Sequence, residues 1–279
     1  MRDVGRRPDD AVPAGEAGHG DRMSGPLSRR LLAELVGTAA LVAVVVGSGI
    51  AAQTLSPHDA GLQLLENSLA TVLGLGVLIA ALGPVSGAHF NPVVSLADWW
   101  AGRRTGTGLR PAEVGAYTCA QVVGAVAGAV LANAMFGGAL VSWSRHDRSA
   151  PHLWLGELVA TAGLLVVIFA LVRNGRASAI PAGVASYIGA AYWFTSSTSF
   201  ANPAVTVGRA FSDTFAGIAP ASVPAFAAAQ LLGGGAGLLL VTALYPAAVP
   251  AAAGAGEAAH PPSGRNEQIL EQHPLERGH

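Results

Sequence analysis

Two asparagines, Asn91 and Asn202, each stand directly before a proline and a small apolar residue, as Asn91-Pro92-Val93 and Asn202-Pro203-Ala204. The chemistry open to them is hydrogen-bond recognition, not bond making. A carboxamide accepts from free N–H groups at a helix start and donates through its NH2, so each Asn is expected to cap a helix and to offer a donor to a neutral solute. Proline at the first helical position loses nothing, because its missing N–H would have had no helical partner there. Two acids, Glu34 and Glu157, and two amides, Gln121 and Gln230, interrupt otherwise apolar stretches. An acid at membrane depth is a functional candidate by default, but these four are better read as buried supports that hold loop backbone. No His-Glu-x-x-His, Gly-x-Ser-x-Gly or P-loop pattern is present, so an enzyme is not expected. Cys119 is the one cysteine and is read as a packing residue; no metal site and no cofactor are expected.

The elements that position these residues must lie in a lipid bilayer. Apolar residues make up 51% of the chain and charged residues 12%, and several apolar runs approach the length of a membrane-crossing helix. The near-neutral charge, without a basic patch, excludes nucleic acid as a partner. Spans are predicted over Leu31–Ala52, Leu62–Leu82, Val114–Phe136, Leu153–Val172, Ala177–Phe194 and Val223–Tyr245. A short helix after Asn91-Pro92, to about Ala101, and another after Asn202-Pro203 are too brief to cross. Residues 1–26 and 249–279, rich in Gly, Pro and charge, are read as disordered tails flanking a domain over 27–248.

The fold class expected is therefore all-α, with six transmembrane helices and two re-entrant half-helices. Three markers recur in order. Ala33-Glu34-Leu35-Val36-Gly37-Thr38 answers to Gly156-Glu157-Leu158-Val159-Ala160-Thr161, the first Asn-Pro to the second, and Ala120-Gln121-Val122-Val123-Gly124 to Ala229-Gln230-Leu231-Leu232-Gly233. This internal repeat runs over about 31–136 and 153–246. Three crossings separate the copies, so the second is inverted and the Asn-Pro loops enter from opposite faces. Most arginines of the core then share a side with both tails, which the positive-inside rule places in the cytoplasm. Trp99 and Trp100 mark that interface.

Irregular backbone at membrane depth survives where it is buried in protein or lines a wet cavity. Gly87, Ala88, His89 and Phe90, with Ser197, Thr198 and the residues to Ala201, are accordingly expected to turn carbonyls toward a pore. Two half-helix N-termini at the midplane, each carrying about half a positive charge, would repel a cation from both sides.

The paired Asn-Pro loops, the Ala-Glu-Leu-Val-Gly-Thr opening and the Ser86-Gly87-Ala88-His89-Phe90-Asn91-Pro92 run resemble the major intrinsic proteins, the aquaporins and aquaglyceroporins, over about Leu31 to Tyr245. The resemblance implies a multi-pass protein of the cell inner (plasma) membrane, a homotetramer with one pore per protomer, and a passive route for small neutral solutes. By the family's spacing the narrowest ring of the pore falls on Thr71, Ala190, Ser199 and Val205. Most of the family carries an arginine where this chain has Val205, so the resemblance implies a wide, weakly polar filter without aromatic or charged members. Arg209, four residues on and on the same helix face, is read either as a charge at the outer mouth or as an anchor to lipid headgroups.

The stretch from Ala191 to Thr206, continued by Phe211-Ser212-Asp213-Thr214-Phe215, is similar to the bacterial branch associated with arsenic resistance, which implies arsenous acid as a solute beside polyols. A water or glycerol facilitator is the nearest alternative. A closed-pore structural membrane protein and a secondary transporter coupled through Glu34 or Glu157 are the alternatives from other classes.

Overall fold

The computed structural model describes residues 25–245; the two tails predicted to be disordered, apart from Gly25 and Pro26, lie outside the described residues. Within them are eight helices and no strand: α1 Leu27–Leu55, α2 Ala60–Ser86, α3 Pro92–Gly102, α4 Pro111–Met135, α5 Pro151–Arg173, α6 Ile180–Phe194, α7 Pro203–Arg209 and α8 Val223–Leu244. Four of these, and α8 taken with its leading turn from Pro220, are long and apolar enough to cross a membrane. The sixth crossing, α6, has 15 residues, about 22 Å of helix. A 3-10 turn over Ala177–Ala179 precedes it and adds about 6 Å, so the predicted span Ala177–Phe194 is reached with a tighter first turn.

The second span runs four residues beyond its predicted end at Leu82, through Pro84 to Ser86. Pro84 has no N–H for the Ala80 carbonyl. Both residues line the central cavity. Asp59 caps α2 by accepting from the Leu62 N–H, and Asn91 and Asn202 cap α3 and α7.

Packing repeats as the sequence does. Helix α1 lies chiefly on α4 and α5 chiefly on α8, while α1 also meets α2 as α5 meets α6. The close contacts rest on glycines spaced by four. A Cβ on Gly124 or Gly128 of α4 would strike the backbone of Leu35 or Ala39 on α1, and one on Gly233 or Gly237 of α8 would strike that of Leu158 or Ala162 on α5. Apolar side chains gain nothing by leaving lipid for one another, so helices at membrane depth associate through such small-residue contacts. At one face Arg30 at the start of α1 donates to the Tyr117 hydroxyl of α4, which donates to the Ser86 carbonyl ending α2. At the other face Asn133, near the end of α4, donates to the carbonyl of Phe211, just past α7. Asp98, near the end of α3, accepts from the Leu109 N–H just ahead of the start of α4, whereas the residue just past α7 meets the end of α4, so the two half-helices end toward opposite faces.

Candidate functional site

The two loops that lead into α3 and α7 share one backbone conformation. Gly87, Ala88 and Phe90 have φ of 87°, 49° and 47°, and Thr198, Ser199 and Ala201 have 62°, 50° and 48°. Left-handed backbone costs about 1–2 kcal/mol for each residue other than glycine, so something must hold it. Glu34 does so in the first loop, accepting from the N–H groups of His89 at 3.0 Å and Phe90 at 2.7 Å and from the Ser86 hydroxyl. Glu157 does so in the second, accepting from Phe200 at 2.9 Å and Ala201 at 2.8 Å. Hydrogen bonds to a carboxylate contribute about 1.5–3 kcal/mol each, enough to offset the strain.

The amides complete both sets. Gln121 donates to Glu34 and to the Ser95 hydroxyl, and Gln230 donates to Glu157 and to the Thr206 hydroxyl. Both acids are fully buried, neither lines the cavity, and every hydrogen-bond partner named for them is a donor. That geometry is one of loop support and provides no contact with a solute for proton coupling.

Between the loops the asparagines cross over. Asn91 Nδ2 donates to the Ala201 carbonyl at 2.7 Å, and Asn202 Nδ2 donates to the Phe90 carbonyl at 2.6 Å. Their Oδ1 atoms accept from Val93 N–H in one case and from Ala204 and Val205 N–H in the other. Each NH2 thus commits one hydrogen to the opposite loop and keeps one for the cavity that both residues line. The motif residues Pro92, Val93, Pro203 and Ala204 form the first helical turns behind them.

The cavity has a volume of about 790 Å³. It extends from Thr71 and Arg209 at one end, past both asparagines, to Asp98 and Ser178 at the other, and Leu75, Ile79, Val184 and Ile188 make its wall largely apolar. Gly87, Ala88 and His89 line it; Ser197 and Thr198 do not. Alignment on the asparagines explains the Ser197 correction, since its partner is Ser86, which does not line the cavity either, while Ser199, Phe200 and Ala201, the partners of Ala88, His89 and Phe90, do. Thr198, the partner of Gly87, departs from the repeat. Ser197 lies behind the loop, fully buried, with its carbonyl accepting from Arg148 Nη1. The His89 ring sits 3.1 Å from the Ser95 hydroxyl and 5.5 Å from the Tyr117 ring centroid, which is a packing position. Cys119 is exposed, away from the cavity.

The expected ring is only partly assembled. Thr71, Ser199 and Val205 line the cavity, and the Ser199 hydroxyl has no partner among the described residues. Ala190 is exposed on the outer side of α6. Tyr192 takes the inward place, with its hydroxyl 3.1 Å from Thr71 Oγ1. Two residues along a helix is a rotation of about 200°, so a miscount of two exchanges the lipid-facing side for the lumen. Arg209 is 2% exposed and lines the cavity, which rules out the headgroup-anchor reading. Its guanidinium carbon stands 3.4 Å from the Phe200 ring centroid, Nε donates to the Ala216 carbonyl, and the Tyr192 hydroxyl lies close enough to interact with its side chain. This end of the cavity therefore holds an aromatic hydroxyl that the ring of Thr71, Ala190, Ser199 and Val205 did not include, and Arg209 supplies the charge, the first of its two expected readings.

Arg148, in the loop between α4 and α5, was not singled out by sequence. It is buried, donates to the Gly217 and Ser197 carbonyls and lies 4.9 Å from the same Phe200 ring. Burial, then the neighbouring Arg209, push Arg148 down to about 9. It ties the loop between α4 and α5 to the re-entrant one. Among the described residues no group of three His, Cys, Asp or Glu is arranged to hold a metal ion.

The chain is similar to known proteins. The family profile described as Major intrinsic protein matches residues 22–195. An aquaglyceroporin, AqpS, of Rhizobium meliloti is 49% identical over 224 residues, covering 80% of this chain and 93% of its own. A probable aquaporin, AqpM, of Archaeoglobus fulgidus is 30% identical over 223 residues, covering 70% and 88%. Among solved structures, the aquaglyceroporin from Plasmodium falciparum superposes with a TM-score of 0.57 at 20% identity, over 77% of this chain and 96% of that one. That last likeness speaks for the fold.

Proposed function

The chain belongs to the major intrinsic protein family and forms a multi-pass membrane channel for small neutral solutes, and from that premise we propose that those solutes are polyols and the neutral trihydroxide arsenous acid. The observation that carries this reading is the arrangement of donors in the cavity. Asn91 and Asn202 at its waist and Arg209 at one end project N–H groups into a wall that is otherwise mainly apolar. A molecule bearing several hydroxyls exchanges water for these donors one after another while its carbon or arsenic skeleton passes the apolar side. Val205, small and uncharged where most of the family has arginine, leaves room for a solute wider than water.

Cations are disfavoured by the two half-helix N-termini and by Arg209. Arsenous acid is uncharged near neutral pH and so meets no such barrier. A glycerol facilitator is the second reading, favoured by the placement of Tyr192 and Arg209, which narrow the outer end compared with a ring of four small residues. We further propose a homotetramer with a pore in each protomer and with both termini in the cytoplasm. Supporting these are the stripe of exposed apolar residues Leu62, Leu65, Leu69, Leu73 and Val77 along α2, which needs lipid or a second copy against it, and the cluster of arginines on the α1 N-terminal face.

The test is stopped-flow light scattering on proteoliposomes under gradients of arsenous acid, glycerol and sucrose. Entry of the first two with exclusion of sucrose is the result expected. Entry of glycerol without arsenous acid would leave the facilitator reading in its place.

A further inference from the structure

Arg209 is a cation without a carboxylate. Among the described residues the ion pairs are Arg30–Glu113, Arg110–Glu113 and Arg145–Asp213, and none reaches it. Removing a guanidinium from water costs several kcal/mol in a real protein, so an unpaired one kept at 2% exposure calls for a compensating structure and a use.

The compensating structure is a directed chain of hydroxyls. Thr71 Oγ1 donates to the Asn67 carbonyl at 2.8 Å, which commits its only proton. Tyr192, 3.1 Å from the same oxygen, must then donate to Thr71, and its own oxygen is left to accept from Arg209. The Ala216 carbonyl takes Nε, and the Phe200 ring covers one face of the guanidinium, a placement that stabilises cations. A guanidinium has five N–H donors. These contacts fix its plane and leave donors directed at the cavity that Arg209 lines.

We infer that Arg209 is the specificity-determining cation of the outer constriction, delivered from one turn beyond Val205 and aimed by Tyr192, donating to the hydroxyl oxygens of a passing neutral solute and repelling cations. Val205 and Arg209 lie on one face about 6 Å apart along α7. A small residue at the first position keeps the lumen open, and a long one at the second returns the charge to it. Size and charge selection, which one side chain could combine, are here divided between two. Tyr192 is a positioning residue, acting on solutes through the guanidinium.

This inference rests on the channel reading, and one experiment separates them. Proteoliposomes carrying the wild type, Arg209→Gln, Arg209→Lys or Tyr192→Phe are compared for glycerol swelling and for passive proton leak, followed with an entrapped pH dye under a potassium-clamped potential. Thermal unfolding in detergent is measured on the same samples. Arg209→Gln is expected to pass glycerol and to raise proton leak by about tenfold or more, the lower end of what a one-sign cleft does to local ion concentration. Arg209→Lys keeps the leak low, and Tyr192→Phe, with the guanidinium no longer aimed, changes the ratio of glycerol to arsenous acid flux. A wild type that passes no glycerol would remove the channel reading itself. A conducting wild type whose Gln and Phe variants unfold at the wild-type temperature and match it in leak and in solute ratio would overturn the role given to Arg209. Should the Gln variant fail to fold, the Tyr192→Phe ratio decides alone.

Discussion

Asn202 donates its side-chain N–H to the carbonyl of Phe90, 2.6 Å away in the other Asn-Pro loop, and Asn91 returns the contact to Ala201 at 2.7 Å. The two halves of the chain are therefore joined at the waist of the cavity by the same residues that cap the half-helices.

Asn202→Ala removes both the cap and the crossing bond, and its expected cost is about 1–3 kcal/mol. Asn202→Ser keeps a good capping oxygen but cannot reach Phe90, so it should recover about 1 kcal/mol over the alanine variant while staying below the wild type. Thermal unfolding in detergent measures the order. A serine variant no more stable than alanine would show that the cap contributes little here.

Glu157→Gln keeps shape and burial but turns an NH2 toward backbone N–H groups that need an acceptor. Phe200 and Ala201 both donate to Glu157, and one orphaned buried donor costs about 1–3 kcal/mol. Glu34→Gln in the first repeat should cost a similar amount. Unfolding temperatures of the two variants check this, and a neutral result for either would contradict the assignment of these acids as loop supports.

These supports were legible in the sequence because both repeats write them alike. An acid in the first helix of each half, an amide in the third and an Asn-Pro between them need only a loop to hold, and the physics of buried backbone says what they hold. The constriction was not legible in the same way. Counting back from Asn202 by the family's spacing, across the loop 195–201, puts Ala190 in the ring, but that loop fixes no register. The face of α6 turned to the lumen is set by packing against α2 and α5, which places Tyr192 inside. Arg209 was correctly put on the face of Val205, yet nothing local tells whether a long side chain points outward to headgroups or folds back onto a ring such as Phe200. Arg148 was hidden for the same reason, because a basic residue in a polar loop reads as solvated until the loop is seen packed.

His146 makes stability depend on pH. Burial, then Arg148 and Arg209, lower its pKa below the ordinary 6.5, against the weaker opposing pull of Asp213 and Asp147. The folded protein thus binds fewer protons than the unfolded chain just below pH 6.5, so stability is full above that value and falls as pH drops beneath it. The carboxylates Asp147 and Asp213 also have lowered pKa values, held by hydrogen bonds from Ser149 in one case and Arg145 in the other, so their effect enters only in the more acidic carboxylate range. Unfolding temperature between about pH 5 and 7, around the ordinary histidine value, should slope in the wild type and flatten in His146→Gln. An equal slope in both would assign the dependence to another group.

The central claim is that neutral solutes cross through the cavity between the two Asn-Pro loops, and a plug at its narrow end tests it most directly. Val205 lines that cavity at 5% exposure, and tryptophan in its place would fill the lumen beside Arg209. Glycerol-driven swelling of proteoliposomes is measured for the wild type and Val205→Trp at matched protein content and unfolding temperature. The account predicts fast glycerol entry with sucrose excluded for the wild type and a rate near that of protein-free liposomes for the variant. Equal glycerol entry through both proteins would contradict it and move the solute path elsewhere in the molecule.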